Sequence, residues 1–411
     1  MPETKKRTAA KKSKKKTKNK QHPILKGIWN FLKSLNAFAI RPNEDNVKRE
    51  YRVFGRKITF VGFMCIILVS LFLIVLAMND RSVNVNNEEI ILTGLPEEFE
   101  NYRILHISDL QGRTFGQDQS ALKRIIDNLS YDMVVFTGDV VGKDGDPTAF
   151  YSLIEVLNSR KPVYFIPGDN DPSYFLAEAR DNSSETLTLS QMVLSDWVLG
   201  AQERGAILLD TPAKITKNGA VMWLVPDTFL NLNVTQAADL LKEEVEQQKE
   251  SMLVGIDESR EALPFTNYRY NTMYKTTNLL PSVTSKDLIV MLAHEVPTDS
   301  QIYVSQDTLT ADDMKSYFPA PDLILSGHFC GGEWRLPGLG AIHISSSMSA
   351  RFGWFPNQDY VQGQRTVGGS VVYTSPGLSV TGDTLFSFRF MNPPRITLVT
   401  LTGELPASFL E

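Results

Sequence analysis

RILHISDLQ, residues 103–111, is an apolar run that stops abruptly on a polar cluster, and four later stretches repeat the design: DMVVFTGD (132–139), PVYFIPGDND (162–171), LIVMLAHE (288–295) and DLILSGH (322–328). Short runs rich in β-branched and aromatic residues, without polar alternation, suit strands covered on both faces, as in parallel sheets. Helical stretches lie between them, such as Ser120 to Leu129 and Thr148 to Asn158. Together they predict an α/β core with covered sheets, whose polar clusters emerge at one sheet edge, where ligands of α/β folds collect.

The polar clusters share a chemistry. Asp109 and Gln111 stand at i and i+2 after the first strand and point the same way. Asp139 ends the second, Asp169, Asn170 and Asp171 the third, His294 the fourth, and His328 with Cys330 the fifth. A single Asp at a strand end is usually a cap or turn residue. Five consecutive ends that each deliver an oxygen, nitrogen or sulfur donor make a metal constellation.

The series Ser108-Asp109-x-Gln111, Gly138-Asp139, Gly168-Asp169-Asn170-Asp171, Ala293-His294-Glu295 and Gly327-His328-x-Cys330-Gly331-Gly332 resembles the calcineurin-like metallophosphoesterase superfamily. Within it the series resembles the membrane-anchored, YkuE-like phosphohydrolases, over roughly residues 82–411. The resemblance implies a four-layer α/β/β/α sandwich with two divalent ions, Mn, Zn or Fe, at the strand ends. Carried over by position, Asp109, Gln111 and Cys330 hold the first ion, Asp169, His294 and His328 the second, and Asp139 bridges them. Asn170 and Asp171 take the catalytic positions, and water activated by the metals attacks phosphorus in line.

The departures from the family are specific. Gln111 and Cys330 stand where the family usually has His, and Asp169-Asn170 where it has Asn-His. Gln111 offers an amide oxygen, a weaker ligand than imidazole. A thiolate at Cys330 favours zinc or iron; the alternative is a small buried residue that touches no metal. Asn170 donates a hydrogen bond but supplies no proton, so leaving groups already stable as anions, such as phosphate from a pyrophosphate, are disfavoured least. Among the other histidines, His106 reads as a core residue and His343 as a candidate to approach the site from a later strand. Glu333 and Arg351 are candidates for positioning phosphate, while Trp334 and Trp354 read as packing.

Outside this region the charge is divided sharply. Residues 1–57 hold 18 Lys and Arg against 4 Asp and Glu, a balance of +14 in a chain of formal net charge −5, which leaves −19 for the rest. ITFVGFMCIILVSLFLIVLAM, residues 58–78, is 21 residues without a charge, enough as a helix to cross roughly 30 Å of hydrocarbon. Its upstream region is too long for a cleaved signal peptide. A single-pass anchor at the cell membrane is expected, the basic N-terminus cytoplasmic and the acidic bulk extracytoplasmic.

Residues 1–22 read as a disordered basic tail for anionic membrane lipids. In 23–57, Ile24, Leu25, Ile28, Trp29, Phe31, Leu32, Leu35 and Phe38 recur at helical spacing, an amphipathic segment suited to the interface. The metallophosphoesterase domain follows at 82–411, with polar insertions at about 172–196 and 232–286. Cys65 and Cys330 are the only cysteines and fall on opposite sides of the membrane boundary expected there, so no internal disulfide is expected.

The function expected is hydrolysis of a phosphodiester, pyrophosphate or phosphomonoester, on a substrate that is lipid-linked or belongs to the cell envelope. One rival is a weak or inactive relative serving as a binding module. Another gives the tail the main role, through lipid or nucleic acid, although no nucleic-acid partner is expected.

Overall fold

The computed structural model describes residues 51–53, 56–58, 64–70 and, apart from 158–159, 182–186, 254–256, 308–314, 345–352 and 381–387, residues 83–403. The expected basic tail, nearly all of the amphipathic segment, and Arg351 lie outside the described residues.

The chain divides into two compact units, Met1–Ile74 and Val75–Glu411. In the first, β1 (Tyr51–Val53) and β2 (Arg56–Ile58) pair antiparallel. Residues 64–70 are helical and exposed. Ile58 therefore closes a strand rather than opening the expected apolar helix. Among the described residues no helix is long and apolar enough to cross a membrane, and 59–63 and 71–78 of the expected span lie outside them.

The second unit is a mixed α/β fold. Its first sheet uses β3 (Asn84–Leu92), β4 (Arg103–Ile107), β5 (Met133–Thr137), β6 (Val163–Ile166), β7 (Ala206–Leu208) and β16 (Arg395–Gly403). They lie in the order β3-β16-β4-β5-β6-β7, parallel except where β16 meets β4. The second sheet uses β8 (Ala213–Lys217), β9 (Ala220–Pro226), β10 (Leu288–Ala293), β11 (Leu323–Ser326), β14 (Gly363–Val367) and β15 (Ser370–Thr374). Its order is β14-β15-β11-β10-β9-β8, with antiparallel edges around a parallel centre. A small hairpin, β12 (Trp334–Leu336) with β13 (Gly340–His343), stands apart.

The strand sequences explain the layering. Along β5, Met133 and Val135 enter the core shared by the two sheets, whereas Val134 and Phe136 enter a second core under helices. Along β10, Leu288, Val290 and Leu292 face the shared core while Ile289, Met291 and Ala293 face a third. A strand apolar on both sides has to be covered twice. Helices α1 (Ser120–Ile126), α2 (Thr148–Val156), α3 (Leu189–Val193) and α4 (Asp196–Glu203) cover the first sheet, packing Leu122, Phe150, Val193 and Trp197 against it. The second sheet is covered in part by the start of α5 (Val234–Leu253), which is followed by α6 (Asp257–Leu279).

Candidate metal centre

Asp109, Asp139 and Asp169 follow the C-terminal ends of β4, β5 and β6, and His294 and His328 follow β10 and β11, all strands of the two parallel centres. The turns that deliver them are tight. Asp109 (φ 54°), Gln111 (52°), Asp139 (55°), His328 (74°) and Cys330 (51°) all adopt the left-handed region that non-glycine residues avoid. Strain of this kind gathers at functional sites. Gly138, at φ 85°, lets two loops touch, since a Cβ there would lie 2.6 Å from His294 Nδ1. A Cβ on Gly168 would collide with Asp139 Oδ1.

Three donor atoms, from Asp169, His294 and His328, meet around one point, and His294 also belongs to a second group with Asp109 and Asp139. His294 Nε2 lies 2.7 Å from Asp169 Oδ1, 3.3 Å from Asp139 Oδ1 and 3.1 Å from His328 Nδ1, and His328 Nδ1 lies 3.5 Å from Asp169 Oδ1. His294 Nδ1 stands 2.8 Å from the carbonyl of Thr137, which only accepts, so Nδ1 carries the proton and Nε2 turns its lone pair inward. A lone pair aimed at two carboxylate oxygens and a second imidazole nitrogen is repulsive unless a cation or a proton lies between them. The donor set thus fits a divalent metal of the zinc, manganese or iron class. Bonds of about 2.0–2.1 Å in a tetrahedron place ligand atoms roughly 3.3–3.4 Å apart; the atoms of Asp169, His294 and His328 lie 2.7, 3.1 and 3.5 Å apart.

The electrostatics of the metal-free site agree. Burial favours a neutral His294, but Asp139, Asp169 and Asp109 outweigh it and raise its pKa well above the ordinary histidine value. Burial alone would raise Asp169, yet hydrogen bonds and charge from His294 and His328 hold it far below the usual carboxylate range. Asp109, buried and repelled by Asp139, is pushed up to about 6. Its Oδ1 accepts from the His328 amide at 3.1 Å, and its buried Oδ2 has no hydrogen-bond partner.

The remaining expected residues take other places. Gln111 Nε2 and Asn170 Nδ2 donate to Asp139 Oδ2 at 2.6 and 2.7 Å, and the Asn170 amide nitrogen donates to Asp139 Oδ1 at 2.9 Å. Asp171, expected at a catalytic position, has both oxygens engaged: Oδ1 accepts from Val141 and Gly142, and Oδ2 from Gly168. It clamps the Asp139 loop to the Asp169 loop. Cys330 falls outside both donor groups, Asp169-His294-His328 and Asp109-Asp139-His294. Its thiol is buried in the third core, 3.5 Å from the His328 carbonyl, and burial pushes its pKa well up, so it keeps its proton.

Glu333, expected as a group for positioning phosphate, is fully buried, and its Oε2 lies 3.2 Å from His343 Nδ1. His343 in turn packs edge-on against Trp354. His106 is a core residue whose Nε2 meets Thr137 Oγ1 at 2.8 Å, and burial lowers its pKa to about 3. The sequence reading missed Asp227. It follows β9, AVMWLVP, as the other acids follow their strands, and burial raises its pKa to about 6 beside the opposing charge of His294. With Glu295, Val296 and Gln301 it lines a cleft of about 230 Å³.

The calcineurin-like phosphoesterase family profile matches residues 102–331. Among solved structures, the chain is similar to the phosphopantetheinyl hydrolase PptH from Mycobacterium tuberculosis, at 16% identity over 68% of this chain and 91% of that one, with a TM-score of 0.32. It is also similar to TT1561 of Thermus thermophilus, at 13% identity over 67% and 89%, with a TM-score of 0.30. No curated protein matches the sequence.

Proposed function

We propose that this chain, which belongs to the calcineurin-like phosphoesterase family, hydrolyses a phosphate ester or anhydride at the donor cage of Asp169, His294 and His328, beside Asp139, as a membrane-tethered enzyme of the YkuE-like kind. The observation that carries the reading is the meeting of the Asp169, His294 and His328 atoms, with the lone pair of His294 Nε2 fixed inward by the Thr137 carbonyl. A divalent cation held there supplies Lewis acidity for a phosphoryl oxygen and lowers the pKa of water.

The side chains set the rest. Asp169 has 55% of its surface exposed and opens the cage to substrate, while Asp139 and His328 wall it from behind. Asp171 keeps the two carboxylate loops in register. Asn170 cannot protonate a leaving group, and its Nδ2 is already directed to Asp139 and Asp169. Substrates whose leaving groups are stable anions, pyrophosphates and aryl esters, are therefore favoured over alkyl esters.

Placement is part of the proposal. The uncharged stretch 58–78, with the basic residues before it and the acidic bulk after it, supports a single-pass anchor in the cell membrane, with the N-terminus cytoplasmic and the site extracytoplasmic. The basic tail then meets anionic lipids, and the substrate is a lipid-linked or cell-envelope phosphate.

The test is hydrolysis of an aryl phosphodiester and a nucleotide pyrophosphate by the full-length chain with Mn, Zn or Fe. Turnover that falls to background in Asp139→Ala and His328→Ala is expected. Silence with every metal would favour a binding module, the reading that Gln111, Asn170 and Cys330 lean toward.

A further inference from the structure

We infer that the centre is mononuclear, with one divalent cation among Asp169, His294 and His328, and with Gln111 and Asn170 serving as hydrogen-bond donors to Asp139 in place of a second ion. The inference rests on the hydrolase reading and departs from the two-ion arrangement that the family resemblance implies.

Two groups of donors lie close enough to hold a metal, Asp169-His294-His328 and Asp109-Asp139-His294. They share His294, and His294 has a single inward lone pair, because its other nitrogen is bound to the Thr137 carbonyl. Once that lone pair joins Asp169 at 2.7 Å and His328 at 3.1 Å, the second group retains only its two carboxylates.

Of those carboxylates, Asp139 is already engaged. Its Oδ2 receives N–H groups from Gln111 at 2.6 Å and from Asn170 at 2.7 Å, and its Oδ1 receives the Asn170 backbone N–H at 2.9 Å. Turning either amide so that its oxygen faced inward would set two acceptors against each other at those distances. Asp109 commits Oδ1 to the His328 amide, which leaves Oδ2 as its one free oxygen. One oxygen does not hold a divalent ion.

The last donor the second ion would need is missing as well. The Cys330 thiol turns to the His328 carbonyl, 3.5 Å away, within the third apolar core. A fixed positive charge is present instead. The Arg389 guanidinium is 4% exposed and donates to the carbonyls of Pro376, Ser379 and Asn392 at 2.7 to 2.9 Å, and its charge acts on Cys330 and Asp109.

The test is a metal count on the full-length chain, kept in detergent, saturated with Zn(II) or Co(II), and passed over a desalting column. One ion per chain is expected, with a cobalt spectrum that has no thiolate charge-transfer band and is the same in Cys330→Ser. The double variant Gln111→His, Cys330→His restores two imidazoles, and where circular dichroism shows it folded its count rises to two. Two ions in the unmodified chain, or a sulfur band that Cys330→Ser removes, overturns the inference. No retained metal overturns both this inference and the hydrolase reading. One ion without hydrolysis of any phosphate ester supports the count and removes the hydrolase reading alone.

Discussion

Asp139 accepts from three donors that belong to two neighbours, and Asp171 accepts from three backbone amides. The two acids hold the centre in different ways, one facing the donor cage and one tying its loops. Asp171→Ala bares three buried N–H groups at about 1–3 kcal/mol each. We expect a clear fall in denaturation midpoint together with loss of bound metal, measured by urea titration and metal analysis; a variant as stable as the parent would refute the clamp.

The pH response belongs to the same scale. In the metal-free chain Asp109 and Asp227 have pKa values near 6, above the unfolded value of about 3.9. A folded pKa that is raised means the fold holds the proton more tightly, so this stabilisation is complete below about pH 4 and is lost as pH climbs through about 6. His294, raised above its unfolded value, adds a loss of the same sign at higher pH, and His106, lowered to about 3, offsets part of it with a gain that is complete by about pH 6.5. Chelator-treated protein is therefore expected to melt at a lower temperature at about pH 7.5 than at about pH 5. Added Zn(II) should give a larger upward shift at the higher pH, because the cation replaces the protons. A metal-free melting temperature that rises over this range would contradict the assignment.

At the scale of elements, the two polar insertions meet through aromatic rings. Phe175 of the first packs edge-on against Phe265 and Tyr268 of α6, with centroids 5.9 and 5.6 Å apart, and the Arg269 guanidinium lies over Phe175. The other end of α6 packs Met273 and Leu279 against the third core, so a single helix straps the flanks of both sheets. Phe265→Ala is expected to cost about 1–3 kcal/mol, less than a fully buried ring, and to leave the metal count unchanged; a loss of metal would place the strap inside the centre itself.

Sequence alone exposed β4, β5, β6, β10 and β11 with their five polar ends, because runs covered on both faces have few alternatives. It also exposed β16 through PPRITLVTL. It gave the amphipathic part of α5, but α6 stayed hidden, since Pro264 breaks its pattern and Thr266, Thr276 and Thr277 are poor helix formers whose hydroxyls bond back to the preceding turn. Asp227 was overlooked because its strand had not been recognised. The seven expected donors were carried over by position from the family resemblance, and position in the sequence says nothing of direction. Which way the Cys330 thiol and the Gln111 amide turn is settled by packing and hydrogen bonds.

At the scale of the whole molecule, the chain joins a basic, apolar N-terminal region to an acidic α/β unit. The proposed anchor predicts that the full-length protein sediments with membranes and resists alkaline carbonate, and that deleting residues 58–78 releases it; a full-length chain that washes off in carbonate would remove the anchor from the account. The central claim concerns the cage. Zinc-edge X-ray absorption of the Zn-loaded full-length chain should show only nitrogen and oxygen neighbours at about 2.0–2.1 Å, with the outer scattering of two imidazoles. A sulfur shell near about 2.3 Å, or a spectrum without imidazole scattering, would contradict it.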